Sequence, residues 1–452
     1  MRAALVSTYE LGRQPFGLAS PSAWLKDADV DVECFDLSRE PFRAQIAEAD
    51  FVGIYLPMHT ATRLAIPLIR KIRGLNLRTV LCCYGVYAIL NADYLRELGV
   101  HHILGGEFEE DLTRIVSDID HCALPTDEDD EETPSETRRV PKLEFLVPDR
   151  SSLPSLDRYA SLQCAGGPRL VGYTEASRGC KHLCRHCPIV PVYDGQFRIV
   201  PMDIVLQDIV VQVEAGARHI TFGDPDFFNG IGHARRIVEE FSGLFPGVTY
   251  DVTIKVEHLI RYESDVQRLR DTGCLFVTSA FESFDDDVLY RLGKRHCCED
   301  IERAVKLCEA AGLILVPTFV AFTPWTTRQG YRDLLSGILE LDLVDRVSPI
   351  QLAIRLLVTE GSKLFELDGM KDHLEVFDPV HLIYPWRHPD PGMDQLAKHV
   401  EGVVSRSVEV PRSETFGTIW EIANGAYPRE DFAKKLFRKR TEVPFLNEPW
   451  YC

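Results

Sequence analysis

Short, wholly apolar runs alternate with stretches of helical period along most of this chain. Ala3–Ser7 predicts a strand, Pro21–Lys26 opens a helix, and Val30–Asp36 and Phe51–Leu56 are strands. Thr60–Arg73 is helical and ends in basic residues; Thr79–Tyr84 is strand-like, Asn91–Leu98 helical, and His102–Leu104 a last short strand. Near-continuous apolar strands separated by amphipathic helices predict a parallel sheet covered on both faces, whose ligands bind at the carboxyl ends of the strands.

The pattern stops between residues 121 and 150, where the acidic run Asp127–Glu132 and Pro125, Pro134, Pro141 and Pro148 leave almost no apolar period. This composition predicts a charged, extended linker. A second alternating unit follows. Leu170–Thr174, His219–Phe222, Val248–Val256, Leu275–Phe281, Leu313–Phe322 and Ile350–Leu357 read as strands. Helices are expected between them at Pro201–Ala215, Ile231–Phe241, Val266–Gly273, Asp287–Leu292, Glu299–Ala311 and Gln329–Leu339. Repeated strand–helix units of this kind fit a partial (β/α)6 barrel of the TIM type, with its site at the strand C-termini. Beyond about residue 370 the pattern is less regular, with helical stretches at Thr415–Ala423 and Glu430–Phe437. The expected organisation is a Rossmann-like domain at 1–120, a linker at 121–150, a barrel at 151–370 and an extension at 371–452.

Composition narrows the partners. A formal charge of -19 over 452 residues repels a nucleic-acid backbone in the absence of a segregated basic patch. The basic stretch Lys434–Arg440 reads as the solvated end of a helix. No apolar run is long enough to span a membrane, and the N-terminus enters a strand without the features of a secretory signal. The cytoplasm is the expected compartment, and there 13 cysteines argue for thiols and metal ligation over a disulfide framework. Cys34, Cys274 and Cys308 lie in apolar stretches and are expected to be small core residues.

Three cysteines stand apart. Arg178-Gly-Cys-Lys-His-Leu-Cys-Arg-His-Cys187 places Cys180, Cys184 and Cys187 in a C-x3-C-x2-C spacing directly after a strand. Three thiolates hold a [4Fe-4S] cluster with one iron left unligated, where a small molecule can bind and receive an electron. Structural zinc is the rival, with His182 or His186 as a fourth ligand, but no second paired knuckle occurs elsewhere. Asp224 and Glu282 end later strands; each also has an ordinary reading, as a helix cap near Asn229 and as a solvated acid. Arg355 lies inside an apolar run and needs an anionic partner, either a ligand carboxylate or an internal acid.

These features together resemble the radical S-adenosylmethionine (SAM) superfamily over roughly residues 150–360. The resemblance implies that Cys180, Cys184 and Cys187 hold a [4Fe-4S] cluster and that the open iron chelates SAM. It implies further that His186 lies against the adenine, that Gly223 and Asp224 meet the SAM amino group, and that Glu282 and Ser283 lie near the ribose and carboxylate. Phe281-Glu-Ser283 departs from the family's G-x-E-S, and Asp224 stands where glutamate is commoner. Lys294 resembles the lysine commonly found after the following helix. The N-terminal part is similar to the cobalamin-binding domain of one subgroup, through Ala49–Ile54, Leu81–Gly85 and Leu104–Glu107. It lacks a D-x-H-x-x-G, and Cys83 and Tyr84 stand where two glycines are usual, so the resemblance leaves bound cobalamin open.

The ending Glu448-Pro-Trp-Tyr-Cys452, with Pro317–Thr327 and Thr359–Ser362, resembles the CUAEP/CCAEP-tail radical SAM proteins and their relatives in arsinothricin biosynthesis. That resemblance implies that a UGA codon read as selenocysteine follows Cys452. It also implies, as one chemistry, transfer of a 3-amino-3-carboxypropyl group from SAM to a soft atom such as trivalent arsenic, presented by thiols such as Cys452, Cys297 and Cys298. The expected function is reductive SAM cleavage that generates or transfers a carbon radical on a small-molecule substrate. A one-electron reductant such as flavodoxin or ferredoxin is the expected partner. Cobalamin-dependent radical methylation, and a non-enzymatic role as an iron–sulfur or zinc protein, are also compatible with these residues.

Overall fold

A computed structural model describes residues 1–121, 140, 142–407, 410–426, 434–436 and 443–448; the acidic run and Cys452 lie outside the described residues. The first unit is a parallel sheet of β1 (Arg2–Ser7), β2 (Asp31–Asp36), β3 (Phe51–Tyr55), β4 (Val80–Tyr84) and β5 (His102–Leu104), in the order β2-β1-β3-β4-β5. Period-2 alternation sends successive residues of β4 to opposite faces. Cys82 and Tyr84 pack with Leu18, Leu25, Leu112 and Val116 from the helices Phe16–Asp27 and Glu109–His121. Leu81 and Cys83 pack with Ile69 of the helix His59–Leu75 and with Leu95. Both faces are therefore dry, which is why the strands read as continuous apolar runs.

The first helix begins at Phe16, five residues before the expected start, and carries Pro21 inside it. Proline has no N–H to give to the Gly17 carbonyl four residues back. The Tyr84 hydroxyl donates to that carbonyl at 2.9 Å instead. The helix Glu109–His121 has no counterpart among the elements expected from the apolar pattern.

The second sheet is built from β6 (Ser161–Gln163), β7 (Arg169–Thr174), β10 (His219–Phe222), β11 (Thr249–Thr253), β12 (Cys274–Glu282), β13 (Ile314–Phe319) and β14 (Phe445–Leu446), while β8 (Ser177–Gly179) and β9 (Phe197–Ile199) form a separate hairpin. Its strand order is β13-β12-β11-β10-β7-β6-β14. From β7 to β13 all pairings are parallel, and β6 and β14 close the edge in antiparallel fashion. This is a curled half-barrel. The expected sixth strand is absent: Pro349–Leu352 is a 3-10 turn, and a single parallel bridge, Phe322 to Arg355, remains of the pairing. The end of the linker is packed, with Arg150 buried against Asp208 at 2.8 Å and bonded to Gln14 and the Tyr173 carbonyl.

Candidate active site

The cysteine loop leaves β7 through the β8–β9 hairpin. Gly179, just before Cys180, has φ +73, and a Cβ there would lie 2.3 Å from the Tyr193 ring, so only glycine fits. Cys180 and Cys184 are buried and Cys187 is partly so. The loop is clasped by a neighbouring helix end and a 3-10 turn: the Arg185 amide donates to the Leu292 carbonyl and the Lys181 side chain to the Asn229 carbonyl. Burial pushes the Cys187 thiol up to about 12, with the neighbouring Cys184 and Cys180 thiols adding to the rise, and burial raises Cys180 as well. A metal ion bound by these sulfurs would displace the protons that burial favours on Cys180 and Cys187.

A mononuclear zinc ion with bonds of about 2.3 Å needs its sulfur ligands about 3.8 Å apart. Among the described residues, the donors that gather three within 4.8 Å of one another are His182, Asp226 and His258, and the three thiols do not form such a group. The donor set, three thiols spread around a buried loop, suits a larger, multi-iron group better than one ion.

Across from the loop, β12 ends in Glu282. Its φ of +67 is unusual for a residue with a side chain, and the β12–β13 register shifts at this point. Such strain costs about 1–3 kcal/mol and persists where surrounding contacts fix it. The fixing contacts are Lys294 at 2.9 Å and the His186 Nε2 at 3.1 Å. Burial alone would raise the Glu282 carboxyl, but Lys294 and His186 overcome it and hold the group well below the usual carboxylate range. His186 Nδ1, on the other side of the ring, is buried without a hydrogen-bond partner. Cluster loop and strand-end acid thus meet through His186. Ser283 sits beside them, its hydroxyl accepting from the Asp285 amide at 3.1 Å.

Asp224 is buried, and burial raises it to about 6 against hydrogen bonds from Ser177 and the Ala176 amide. It braces the strand that leads into the cysteine loop. The cap expected of it belongs to Asp226, which accepts from the Phe228 amide. Gly223 lies under Tyr173, whose hydroxyl would collide with any Cβ.

Three candidates fall elsewhere. Arg355 pairs with Asp394 of the helix Pro391–Val404 at 2.9 Å and stacks 4.0 Å over Trp386, so an internal acid supplies the anion it needs. Cys297 caps the helix Cys298–Ala310, its sulfur 3.4 Å from Asp300. Burial and Asp286 push the Cys298 thiol up to about 12, far from a nucleophile's range. Cys452 lies outside the described residues.

Sequence reasoning missed a second group. Lys255, two residues after the end of β11, is buried with its ammonium 3.5 Å from the Cys184 sulfur. Asp226 bridges two imidazoles, His182 Nε2 at 3.1 Å and His258 Nδ1 at 2.7 Å. Arg178, two residues before Cys180, reaches into the first unit, to Glu109 at 2.7 Å and Ser20 at 3.1 Å, and is held by Glu175 at 2.8 Å. A charge inside the apolar run Val252–Val256 was the available signal for Lys255; the others depend on tertiary contacts.

On a β2-β1-β3-β4-β5 sheet the ligand crevice lies at the carboxyl ends of β1 and β3. Here that crevice is filled by the chain itself. The Tyr55 ring covers Gly17 so closely that a Cβ there would fall 2.2 Å from it. Tyr84 and Phe108 pack on it with ring centroids 5.4 and 5.9 Å away. Gly106, in the Gly-Gly pair after β5, is covered by Tyr193 from the cysteine-loop side. These residues do not fit a corrin or its nucleotide tail in that crevice.

Residues 174–328 match the Radical SAM superfamily model. No curated protein matches the chain. Among solved structures, the apo form of OxsB, a cobalamin-dependent SAM radical enzyme, aligns at TM-score 0.69 and 16% identity over 96% of this chain and 70% of that one. Its aqua-cobalamin-bound form aligns at TM-score 0.66 and 15% identity, with the same coverage. The radical SAM methyltransferase TsrM from Kitasatospora setae, with cobalamin and a [4Fe-4S] cluster bound, aligns at 0.58 and 16% identity over 75% and 70%. At these identities the neighbours establish a shared fold, and the superfamily match is confined to residues 174–328.

Proposed function

We propose that this chain, whose residues 174–328 match the Radical SAM superfamily model, is a radical SAM enzyme in which Cys180, Cys184 and Cys187 hold a [4Fe-4S] cluster and SAM is cleaved reductively to place a carbon radical on a small-molecule substrate. The observation that carries the proposal is the meeting of the cysteine loop with Glu282 through His186 at 3.1 Å. When bound, the cluster supplies the electron that breaks a C–S bond of SAM. The protein's own residues do the rest. Glu282, fixed as a carboxylate by Lys294, offers a buried anionic acceptor for ribose hydroxyls or for the cationic end of SAM. The free Nδ1 edge of His186 and the Ser283 hydroxyl are further polar contacts at the same strand end. Asp224 keeps the strand before Cys180 in register by holding Ala176 and Ser177. Apolar packing around Phe281, Phe284 and Phe319 shields the strand ends from water, which a carbon radical requires.

The reading is corrin-free, because aromatic side chains occupy the first sheet's crevice, and no step passes through cobalamin. It needs a one-electron reductant as partner. The test is to reconstitute the protein anaerobically with iron and sulfide, reduce it with dithionite, and identify the nucleoside released from SAM. 5′-Deoxyadenosine is the expected product. 5′-Methylthioadenosine would replace this reading with aminocarboxypropyl transfer, and no cleavage at all would end it.

A further inference from the structure

Lys255 stands apart from the contacts that join Glu282 to the cysteine loop, and its surroundings are unusual. It lies at the carboxyl end of β11, buried, in a barrel whose other buried lysine, Lys294, has a carboxylate at 2.9 Å. The carboxylate facing Lys255 is Glu257, 3.9 Å away, at the outer limit of an ion pair. A buried ammonium needs a close anion or loses its charge. The atom its Nζ does reach is the Cys184 sulfur, at 3.5 Å. As a neutral thiol that sulfur is a weak acceptor; as a thiolate on a metal cluster it supplies the missing anion.

The same short segment grips the loop on which Cys184 sits. Glu257 faces His182 Nδ1 at 3.7 Å. His258 and His182 share the Asp226 carboxylate, at 2.7 and 3.1 Å, and their rings lie 4.7 Å apart. His182 stands between Cys180 and Cys184, so Lys255, Glu257 and His258 form a platform under that part of the loop.

We infer that Lys255 is a positioning and tuning residue that donates to the Cys184 sulfur and makes the bound cluster easier to reduce. The inference rests on the reading of Cys184 as a cluster ligand. Reduction adds a negative charge that spreads over the sulfurs. A cation hydrogen-bonded to one of them in a buried site stabilises the reduced form over the oxidised one.

The test compares full-length wild type with Lys255→Met and Lys255→Arg, each reconstituted anaerobically, with iron and sulfide counted per chain. The midpoint of the cluster is measured by redox titration followed by electron paramagnetic resonance, without SAM. Lys255→Met is expected to hold a full cluster whose reduction equilibrium is at least tenfold less favourable, a fall of about 59 mV for one electron. Lys255→Arg is expected to stay within about threefold of wild type, since it keeps the charge. A Lys255→Met midpoint unchanged from wild type overturns the inference, and if its KM for SAM alone rises, the lysine serves the substrate. Should Lys255→Met load poorly, Lys255→Gln is read by the same criterion; failure of both neutral variants to load overturns the tuning role in favour of a folding role. A wild-type chain that holds no [4Fe-4S] cluster would instead refute the cluster assignment itself.

Discussion

Two parallel sheets in this molecule end in crevices of the same kind, and the chain treats them in opposite ways. At the carboxyl edge of the first sheet, Tyr55, Tyr84 and Phe108 fill the space with one another, and the Tyr84 hydroxyl is consumed by the carbonyl that Pro21 leaves unpaired. At the carboxyl edge of the half-barrel, polar groups gather with needs unmet: two buried thiols and a partly buried one, an imidazole nitrogen without a partner, and an ammonium whose nearest hydrogen-bond partner is a cysteine sulfur, with the Glu257 carboxylate at 3.9 Å. A folded chain satisfies its buried polar groups unless something else satisfies them. The first crevice is filled mainly by rings, although Ser7 Oγ at the end of β1 and Glu10 Oε2 after it are buried without a hydrogen-bond partner, whereas the second gathers the groups that a cluster and its ligand would satisfy.

The largest effect that would break this contrast is loss of the thiols. Replacing Cys180, Cys184 and Cys187 together by alanine is expected to abolish iron binding and lower SAM cleavage by at least about a thousandfold, the scale at which the reductant is gone. Iron content and nucleoside release check it; retained cleavage would place the chemistry elsewhere.

Next comes Glu282→Gln, which leaves Lys294 buried without its partner. Breaking a buried pair costs about 3–5 kcal/mol. The Glu282 carboxyl is held below its unfolded value, so its stabilisation is complete above the unfolded pKa of about 4.3 and is lost as pH falls toward the folded value. The stability gap between wild type and Glu282→Gln should thus be constant from neutral pH to about pH 5 and narrow below it, measured by urea unfolding at each pH.

A comparable cost, about 3–5 kcal/mol, is expected for Tyr84→Ala in the filled crevice, through loss of packing and of the bond to Gly17. Wild type purified from cells supplied with cobalamin should carry no cobalt by elemental analysis. Cobalt bound stoichiometrically would show that the crevice opens and would dissolve the comparison.

The smallest effect is expected at Arg355. Its pair with Asp394 is about a third exposed and stabilises by about 1 kcal/mol or less, so Arg355→Ala should leave SAM cleavage within about threefold of wild type. A larger loss would return Arg355 to the SAM carboxylate.

The two sheets also differ in how much of them could be read from sequence. The strand–helix alternation was legible in both, because dry faces impose an apolar run on every strand. The cysteine triad was legible because its spacing is local. Ile350–Leu357 looked like a strand of the same kind, but Pro349 starts a 3-10 turn, and an apolar run alone does not distinguish a strand from a buried turn. The pairings Glu282–Lys294 and Glu282–His186 were half visible, through a resemblance that named the residues without their contacts. Asp226 and His258 were invisible, since their value lies in meeting His182, which only the fold arranges. Tyr84 was marked by its bulk where glycine is usual, and its hydrogen bond to Gly17 supplies the reason it is retained.

The electron paramagnetic resonance spectrum of the reduced, reconstituted full chain, without and with SAM, probes the proposed open cluster at the half-barrel's edge without intermediaries. A [4Fe-4S]+ signal that changes shape when SAM is added is expected, because the proposed ligation by three cysteines leaves one iron open to SAM. A signal indifferent to SAM, or no cluster signal after full reconstitution, would contradict the assignment.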